Sequence, residues 1–264
     1  MYLPAVLSLG VFLPSVIGGL LPRHTVTPSD GRHLTRRNES RVPSGHIINH
    51  CTEPGVVALT FDDGPYMFTN HVLDLLDQYD AKATFFVNGN NYVTGLDDES
   101  TPWPGTLRRM IGAGHQIGSH AWAHMDMSSA DSDIRHEQLT ELEHVFAKVL
   151  GKIPRYFRPP YATCNTGCLN DVEGAGYHVI NFDVDTKDYL HDSPDTISIS
   201  EDTFAQALDG GGPESSFLVL SHDVHEYTAK TLTPFMLKKI KEKGYRAVTV
   251  GECLGDSPSN WYRT

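Results

Sequence analysis

Two adjacent carboxylates follow a strongly apolar run near residue 60. Residues 56–61 are apolar or β-branched, and Asp62 and Asp63 come directly after them, followed by Gly64 and Pro65. Neighbouring side chains on a strand point to opposite faces, so both carboxylates can turn toward one pocket only where the strand has ended. Two such carboxylates repel each other, and a bound cation removes that repulsion. The pair therefore suggests a cation site, while a solvated Asp-Asp-Gly-Pro turn is the alternative for this stretch alone.

A histidine pair supplies further groups that can bind a metal. His120 and His124 are four residues apart, and on a helical turn this spacing puts both imidazoles on one side, as in many zinc sites. Because the chain has 14 histidines, the pair carries weight only with a third ligand. A carboxylate from another strand would complete two His and one Asp, the composition of a catalytic zinc site. Such a cation lowers the pKa of water, and the second Asp of the opening pair can then act as general base.

His222 is a candidate general acid. A base and an acid on either side of a polarised carbonyl suit the hydrolysis of an amide or an ester, with the imidazolium protonating the leaving nitrogen or oxygen. Either Asp185 or Asp223 could keep this imidazole protonated. Taken alone, His222 is equally compatible with a buried structural histidine.

Strand-like and helix-like segments alternate from residue 56 onward. The strand-like runs are 56–61, 83–87, 116–118, 156–157, 178–182, 217–220 and 246–250. The helix-like stretches are 70–79, 106–113, 133–150, 168–175, 201–208 and 234–243. This alternation predicts an α/β fold with parallel strands and right-handed crossovers, and about seven units favour a closed barrel over an open sheet.

Polar side chains follow five of the predicted strands. In chain order they are Asp62 and Asp63, His120 and His124, Arg158 and Tyr161, Asp183, Asp185 and Asp188, and finally His222 and Asp223. Each cluster alone is compatible with a polar loop. Because the carboxyl ends of barrel strands share one rim, we expect all five clusters to converge there.

These clusters resemble a known set of motifs. They read Thr60-Phe61-Asp62-Asp63-Gly64, His120-x-x-x-His124, Arg158-Pro159-Pro160-Tyr161, Asp185-Thr186-Lys187-Asp188-Tyr189 and Leu220-Ser221-His222-Asp223. In order and rough spacing they resemble the five motifs of the NodB-type polysaccharide deacetylases, carbohydrate esterase family 4. The resemblance covers residues 51–254, and the cysteine placement is similar to that of secreted fungal chitin deacetylases.

The resemblance implies a fold, a metal and a role for each motif residue. The fold is a distorted (β/α)7-8 barrel, and the metal is Zn2+, with Co2+ or another divalent cation as the alternative. The implied roles are Asp63, His120 and His124 as ligands, Asp62 as base, His222 as acid, Arg158 holding Asp62, the Tyr161 backbone amide binding the oxyanion, Leu220 lining the acetyl pocket, Tyr189 as an aromatic wall and Asp185 tuning His222.

Two residues depart from the family pattern. Ala121 stands where Ser or Thr is usual between the histidines, so a hydrogen bond around the metal ligands is expected to be missing; such losses can cost roughly 10- to 100-fold in affinity or activity. Tyr189 stands where Trp is common, which keeps an aromatic wall of a different size. Neither change removes a ligand or a catalytic group.

The four cysteines suggest two disulfides in a secreted protein. Four cysteines allow three pairings, and a zinc site built from all four thiolates is the alternative, although only one short Cys pair exists. The resemblance implies the pairs Cys51–Cys253 and Cys164–Cys168.

The amino-terminal residues are predicted to lie outside the folded domain. Residues 1–20 are apolar with small residues near the end and indicate a signal peptide, with an uncleaved anchor as the alternative. Residues 21–46 form a flexible polar leader that holds the Asn38 glycosylation sequon. The NodB homology domain is predicted over 47–256, with a polar C-terminal tail over 257–264.

Charge narrows the choice of partners. The net charge of -12 and the pI near 5.5 argue against binding of nucleic acid or an anionic membrane surface. The apolar amino terminus predicts a secreted, extracellular or wall-bound protein, free of the membrane after signal cleavage, which we expect to be a monomer. The resemblance implies that it removes N-acetyl groups from chitin or chito-oligosaccharides. Acetylxylan O-deacetylation and a catalytically silent chitin-binding protein are the alternatives.

Overall fold

Strands and helices alternate along the chain, as the sequence pattern predicts. The computed structural model describes Gly10 and residues 42–264. The strands are β1 (Val56–Asp62), β2 (Thr84–Val87), β3 (Gln116–Ser119), β4 (Ile153–Pro154), β5 (Tyr156–Phe157), β6 (His178–Val179), β7 (Val184–Asp185), β8 (Phe217–His222), β9 (Arg246–Val248) and β10 (Tyr262–Arg263). The helices are α1 (Thr69–Gln78), α2 (Trp103–Gly112), α3 (Ser132–Leu150), α4 (Thr166–Gly174), α5 (Ile197–Gly210), α6 (Thr233–Lys243) and α7 (Val250–Cys253).

Local sequence signals set the ends of several helices. The Asp131 side chain accepts a hydrogen bond from the Ile134 N–H and caps the start of α3, the longest of the described helices. The same helix ends at Gly151, which has a φ of 67°, a left-handed conformation that glycine adopts without strain. Gly244 ends α6 in the same way. These stops return the chain to the next strand.

A parallel sheet of eight strands forms the centre of the domain. Its hydrogen-bonded order is β6-β5-β3-β2-β1-β8-β7, and β9 pairs with residues 56–58 of β1 beside the segment that pairs with β2. The predicted distorted (β/α) barrel is confirmed, but its ladder is not closed. Within the described residues, no pairing joins the edge strands β6 and β7. The link from Val179 to Val184 is too short for the crossover that parallel neighbours require.

The alternation of side chains along β1 separates two parts of the core. Val57, Leu59 and Phe61 pack under the helices, whereas Val56 and Ala58 belong to a second cluster on the opposite face. Thr60 and Asp62 continue that second face because side chains two residues apart share a face of the strand. The strand therefore delivers Asp62 to the end of the barrel interior.

Two disulfides tie the domain together. Cys51 is bonded to Cys253 over a separation of 202 residues, and Cys164 is bonded to Cys168 over a separation of four. Both pairs are those that the resemblance implies. The long bridge joins the two ends of the domain.

The segment that we predicted as a polar tail packs onto the domain. The Trp261 side chain is only 6% exposed, and β10 pairs with β4 in a two-stranded antiparallel sheet. The indole N–H also donates to the Asp256 carbonyl at 3.2 Å. The packed structure thus continues past the boundary predicted at residue 256, because one buried aromatic side chain anchors an otherwise polar segment.

The predicted signal peptide, most of the leader and the Asn38 sequon lie outside the described residues. Within residues 42–264, no helix combines the length and the apolar character that crossing a bilayer would take.

Candidate active site

The carboxyl ends of the central strands surround one cleft. Its volume is about 490 Å3. Its lining includes Asp62, Asp63, Tyr92, His120, His124, Arg158, Tyr161, Phe182, Asp185, Tyr189, Leu220, His222 and His225. The structure therefore brings together members of all five clusters. Three cluster members do not line the cleft: Asp183, Asp188 and Asp223. Asp183 turns away to accept hydrogen bonds from the Leu218 N–H and the His50 ring.

Three side chains form a group that could hold a metal ion. The ligand atoms of Asp63, His120 and His124 all lie within 4.8 Å of one another. Asp63 Oδ1 is 3.5 Å from His120 Nε2 and 3.2 Å from His124 Nε2. This oxygen is buried and has no hydrogen-bond partner. Because a buried carboxylate oxygen without a partner is costly, a cation in contact with it fits the arrangement.

A loop, not a helix, produces the histidine pair. Residues 120–124 follow β3, and Ala121 and His124 have positive φ values of 63° and 49°. The helical turn that we used to explain the spacing is therefore wrong, although the two rings do meet, with centroids 5.0 Å apart. Left-handed backbone at Ala121 and at His124 itself gives this loop its shape. Asp63 also has a positive φ, of 73°, which turns its carboxylate toward the same point as that of Asp62.

His120 is a neutral imidazole with one ring nitrogen turned toward Asp63. Its Nδ1 lies 2.7 Å from the Arg158 carbonyl, to which it can donate, leaving Nε2 free to face Asp63. Burial lowers the pKa of His120 to about 3, so the ring is uncharged at neutral pH.

Asp62 is a buried carboxylate held on one side by an arginine. Its Oδ1 accepts from Arg158 Nη1 at 2.8 Å, while its Oδ2 lies 3.8 Å from His120 Nε2, on the side of the metal group. Burial raises the pKa of Asp62, and the neighbouring Arg158 charge opposes that rise. Arg158 also donates to Thr60 and to the carbonyls of residues 180 and 181, so the guanidinium is fixed in place.

His222 ends β8 and is held by a buried carboxylate. Its Nδ1 lies 2.8 Å from Asp188 Oδ1, and its backbone N–H donates to Asp188 Oδ2 at 2.7 Å. Asp188 also accepts from the Thr228 hydroxyl and the Tyr189 N–H. Burial disfavours the imidazolium, but the Asp188 charge and hydrogen bond outweigh it and raise the pKa of His222 to about 9.

The carboxylate that contacts His222 is thus Asp188. The prediction that Asp185 tunes His222 is wrong. Lys187, between them, has a φ of 55° and turns the chain, so that Asp188 reaches under the imidazole. Asp185 accepts instead from the Lys187 N–H at 2.9 Å and from the Tyr189 hydroxyl at 3.2 Å.

Asp223, the other candidate partner of His222, points into the protein. It is fully buried and accepts a hydrogen bond from the Thr69 hydroxyl, while its Oδ1 has no partner. A Cβ on Gly64 would lie 2.5 Å from this oxygen, so the glycine leaves the space that the carboxylate fills. Burial raises the pKa of Asp223 to about 7.

The remaining predicted site residues form the walls of the cleft. The Tyr161 ring is 64% exposed and contacts the His124 ring, with centroids 4.7 Å apart. Leu220 is buried at the base, and Tyr189 stands 5.4 Å from His222, measured between ring centroids. Sequence reasoning missed Tyr92 and His225, which also line the cleft; their only signal was their position shortly after β2 and β8.

Ala121 fills an apolar position behind the metal group. It is fully buried in a cluster with Met127, Leu139 and Phe157. Its carbonyl accepts from the Asn88 side chain at 3.0 Å, and the same amide group donates to the His120 carbonyl. From its position directly after β2, Asn88 thus holds the backbone of the histidine loop, although Ala121 carries no hydroxyl.

Comparison with known proteins identifies the family. The polysaccharide deacetylase family model matches residues 49–180. Chitin deacetylase from Colletotrichum lindemuthianum is 48% identical over 230 residues, which are 87% of this chain and 90% of that protein. The chain belongs to the polysaccharide deacetylase family. A second member, chitin deacetylase from Pestalotiopsis sp, is 45% identical over 87% of this chain and 74% of its own length.

The deacetylase fold is also shared with solved structures. The chitin deacetylase structure from the fungal pathogen Colletotrichum lindemuthianum superposes with a TM-score of 0.81, covering 84% of this chain and 97% of that one. The peptidoglycan deacetylase PdaC from Bacillus subtilis gives a TM-score of 0.62 at 30% identity, covering 76% of this chain and 90% of that one. The resemblance in the sequence motifs is therefore confirmed for the family and the fold.

Proposed function

We propose that this protein is a secreted, zinc-dependent deacetylase that removes N-acetyl groups from chitin or chito-oligosaccharides and releases acetate. One observation carries the proposal: a buried carboxylate with one oxygen facing a group of metal-binding side chains shares its cleft with a histidine that a second carboxylate keeps protonated. The carboxylate can serve as a base and the histidine as an acid, because their surroundings give them different protonation states in the same cleft. Amide hydrolysis requires such a pair.

The metal group suits zinc by its composition. Asp63, His120 and His124 offer one oxygen and two nitrogen atoms, which leaves positions open for water and substrate. A divalent cation bound there supplies a Lewis acid that polarises the acetyl carbonyl and lowers the pKa of water.

Asp62 acts as the general base. Its Oδ2 takes a proton from the attacking water, while the Arg158 hydrogen bond keeps Oδ1 fixed and so orients the carboxylate. The rise in pKa caused by burial brings this carboxylate closer to the pKa of a base that works near neutral pH.

His222 acts as the general acid. Its Nδ1 is occupied by Asp188, so Nε2 is the atom that donates a proton to the leaving nitrogen. With a pKa of about 9, the imidazolium is present at neutral pH before the reaction begins. The C–N bond then breaks to give a free amine and acetate. Leu220 forms the apolar floor for the acetyl methyl group, and the backbone amide of Tyr161 binds the developing oxyanion.

The surface around the cleft supports a polysaccharide substrate. Seven large apolar side chains are exposed among the described residues. Five of them lie on loops that follow the carboxyl ends of strands: Met67, Tyr92, Tyr161, Tyr189 and Leu190. Exposed apolar and aromatic groups concentrated at one rim indicate a binding surface, and the apolar faces of sugar rings fit it. The chitin deacetylase relatives make N-acetylglucosamine chains the favoured substrate.

Secretion is proposed from the apolar amino terminus and from the two disulfides, because disulfides persist in oxidising compartments.

Two substitutions test the division of labour. Asp62→Asn keeps the shape but removes the base, so acetate release from N-acetylglucosamine oligomers should fall at least about 100-fold while the zinc content stays at one ion per chain. His124→Ala removes a ligand, so zinc content and activity should both be lost. Zinc is measured by elemental analysis after dialysis. Full activity of the Asp62 variant would show that another group is the base.

A further inference from the structure

One carboxylate of the cleft has no part in the mechanism above. Asp185 lies at the end of β7, in register with Leu220 of β8. Its Oδ1 accepts from the Lys187 N–H and its Oδ2 from the Tyr189 hydroxyl. Both donors are neutral, and the described residues place no ion pair on Asp185. Asp185 does not contact His222, and both of its hydrogen bonds are accepted from one loop of the cleft wall.

Tyr189 depends on this contact for a fixed position. Its side chain is 45% exposed, so packing restrains the ring on one side only. Burial, followed by the Asp185 charge, raises the pKa of Tyr189, so the hydroxyl stays protonated and continues to donate. At the other end of the residue, the Tyr189 N–H donates to Asp188. The residue is therefore held through its hydroxyl and its backbone N–H by the two carboxylates of one loop, and Asp185 is the one that holds the ring.

The tethered ring stands directly beside the candidate acid. The Tyr189 and His222 ring centroids are 5.4 Å apart with an interplanar angle of 78°, an edge-to-face contact. Both rings line the cleft. A sugar unit whose nitrogen reaches His222 would therefore lie beside the Tyr189 ring, and the orientation of that ring would affect how the unit is aligned.

We propose that Asp185 is a positioning residue of the deacetylation, which acts on the bound sugar through the Tyr189 hydroxyl. The inference rests on the proposed function of the cleft. Asp185 fixes the phenol as a rigid wall, so that the acetylated unit binds in the orientation that reacts. It does not act on the protonation of His222, because Asp188 occupies that position.

A double-mutant cycle tests this link. We compare wild type, Tyr189→Phe, Asp185→Ala and the double variant, all loaded with zinc, on an N-acetylglucosamine tetramer. Each single change removes the hydrogen bond between the Tyr189 hydroxyl and the Asp185 carboxylate and should lower kcat/KM by about 3- to 10-fold, mainly through KM. Asp185→Ala also removes the acceptor of the Lys187 N–H. The double variant should lose no more than the larger single loss, because the two groups act as one unit.

The pH profile separates positioning from tuning of the acid. The alkaline limb of kcat should stay at the wild-type pH in all three variants. A shifted limb would mean that Asp185 acts on His222, and multiplied losses in the double variant would mean that Asp185 acts without Tyr189. Unchanged kcat/KM in Tyr189→Phe would also overturn the proposal.

Two further measurements keep the test decisive. Asp185→Asn retains an acceptor oxygen and should recover part of the loss in kcat/KM. If thermal unfolding shows that Asp185→Ala is not folded, Asp185→Asn replaces it in the cycle. Tetramer affinity is measured by calorimetry in the Asp62→Asn background, where Tyr189→Phe should weaken binding by a similar factor. Asp185→Ala should weaken binding by the same factor as Tyr189→Phe. Absence of turnover in wild type, with both binding effects intact, would refute the proposed function and leave Asp185 and Tyr189 as residues that align a bound sugar without deacetylating it; unchanged binding in both variants would refute the alignment itself.

Discussion

Replacement of Asp188 by Asn should move the alkaline limit of activity to lower pH. Asp188 supplies the charge and the hydrogen bond that raise the pKa of His222 to about 9, against a burial effect that lowers it. Without the carboxylate charge, burial is opposed only by the weaker influence of Asp62 and Asp63, and we expect the pKa of His222 to fall to its ordinary value of 6.5 or below.

The size of the effect follows from the protonated fraction. In the proposed mechanism activity needs the imidazolium, so it should be lost as the pH rises through the pKa of His222. At about pH 8.5, roughly three quarters of His222 is protonated with a pKa near 9, but only about 1% with a pKa of 6.5. Asp188→Asn should therefore cost roughly 75-fold in kcat at about pH 8.5 and less than about twofold at about pH 6.

The assay is the pH dependence of acetate release by zinc-loaded protein at saturating N-acetylglucosamine tetramer. Asp185→Asn is the matched control, because it makes the same change in a neighbouring carboxylate that does not contact His222. Thermal unfolding across the same pH range confirms that each variant is folded during the assay. An alkaline limb that stays at the wild-type pH in Asp188→Asn, or moves in Asp185→Asn, would refute the assignment.

Three other perturbations have defined outcomes. Arg158→Met leaves the buried Asp62 charge unpaired, so the acid limb of kcat should move to higher pH and the free energy of unfolding should fall by about 3–5 kcal/mol. Replacing Cys51 and Cys253 by Ser opens a loop with a separation of 202 residues and should cost about 5 kcal/mol on the chain-entropy model, against about 2 kcal/mol for the Cys164–Cys168 pair. Trp261→Ala should lower stability by about 3–5 kcal/mol in a denaturant titration and leave kcat at low temperature unchanged, since the buried indole does not line the cleft. An additional shift in kcat for Trp261→Ala, equal stability of the two disulfide variants, or an acid limb unmoved by Arg158→Met would each contradict the corresponding argument.

The positions of the site residues could be predicted because strand direction controls them. Apolar runs end on polar residues, and parallel strands bring those ends to one rim, so Asp62, His120 and His222 meet without any knowledge of loop shape. The alternation along β1 likewise determines which of the two adjacent aspartates extends the interior face.

The assignments that failed depend on backbone turns that residue spacing does not reveal. The left-handed conformation of Lys187 decides that Asp188, and not Asp185, reaches His222. The positive φ values of Ala121 and His124 replace the helical turn that we had used to explain the histidine pair. Residues other than glycine adopt this conformation rarely, so a pattern of residue types gives little warning of it.

The C-terminal segment illustrates a second limit. Residues 257–264 are mostly polar and carry no periodic pattern, yet Trp261 packs against Gly251, where a Cβ would lie 2.1 Å from the indole nitrogen. A single buried aromatic side chain and a two-residue strand are too short for periodicity to detect.

Acetate release by the zinc-loaded protein from N-acetylglucosamine oligomers and from acetylated xylan, side by side and with an EDTA control, tests the central claim most directly. The account predicts release from the amino-sugar chains, abolished by EDTA and restored by added zinc, with little release from xylan. Release from xylan alone would make the protein an O-deacetylase, and release from neither substrate by folded, zinc-loaded protein would contradict the assignment of Asp62 and His222 as a working base and acid.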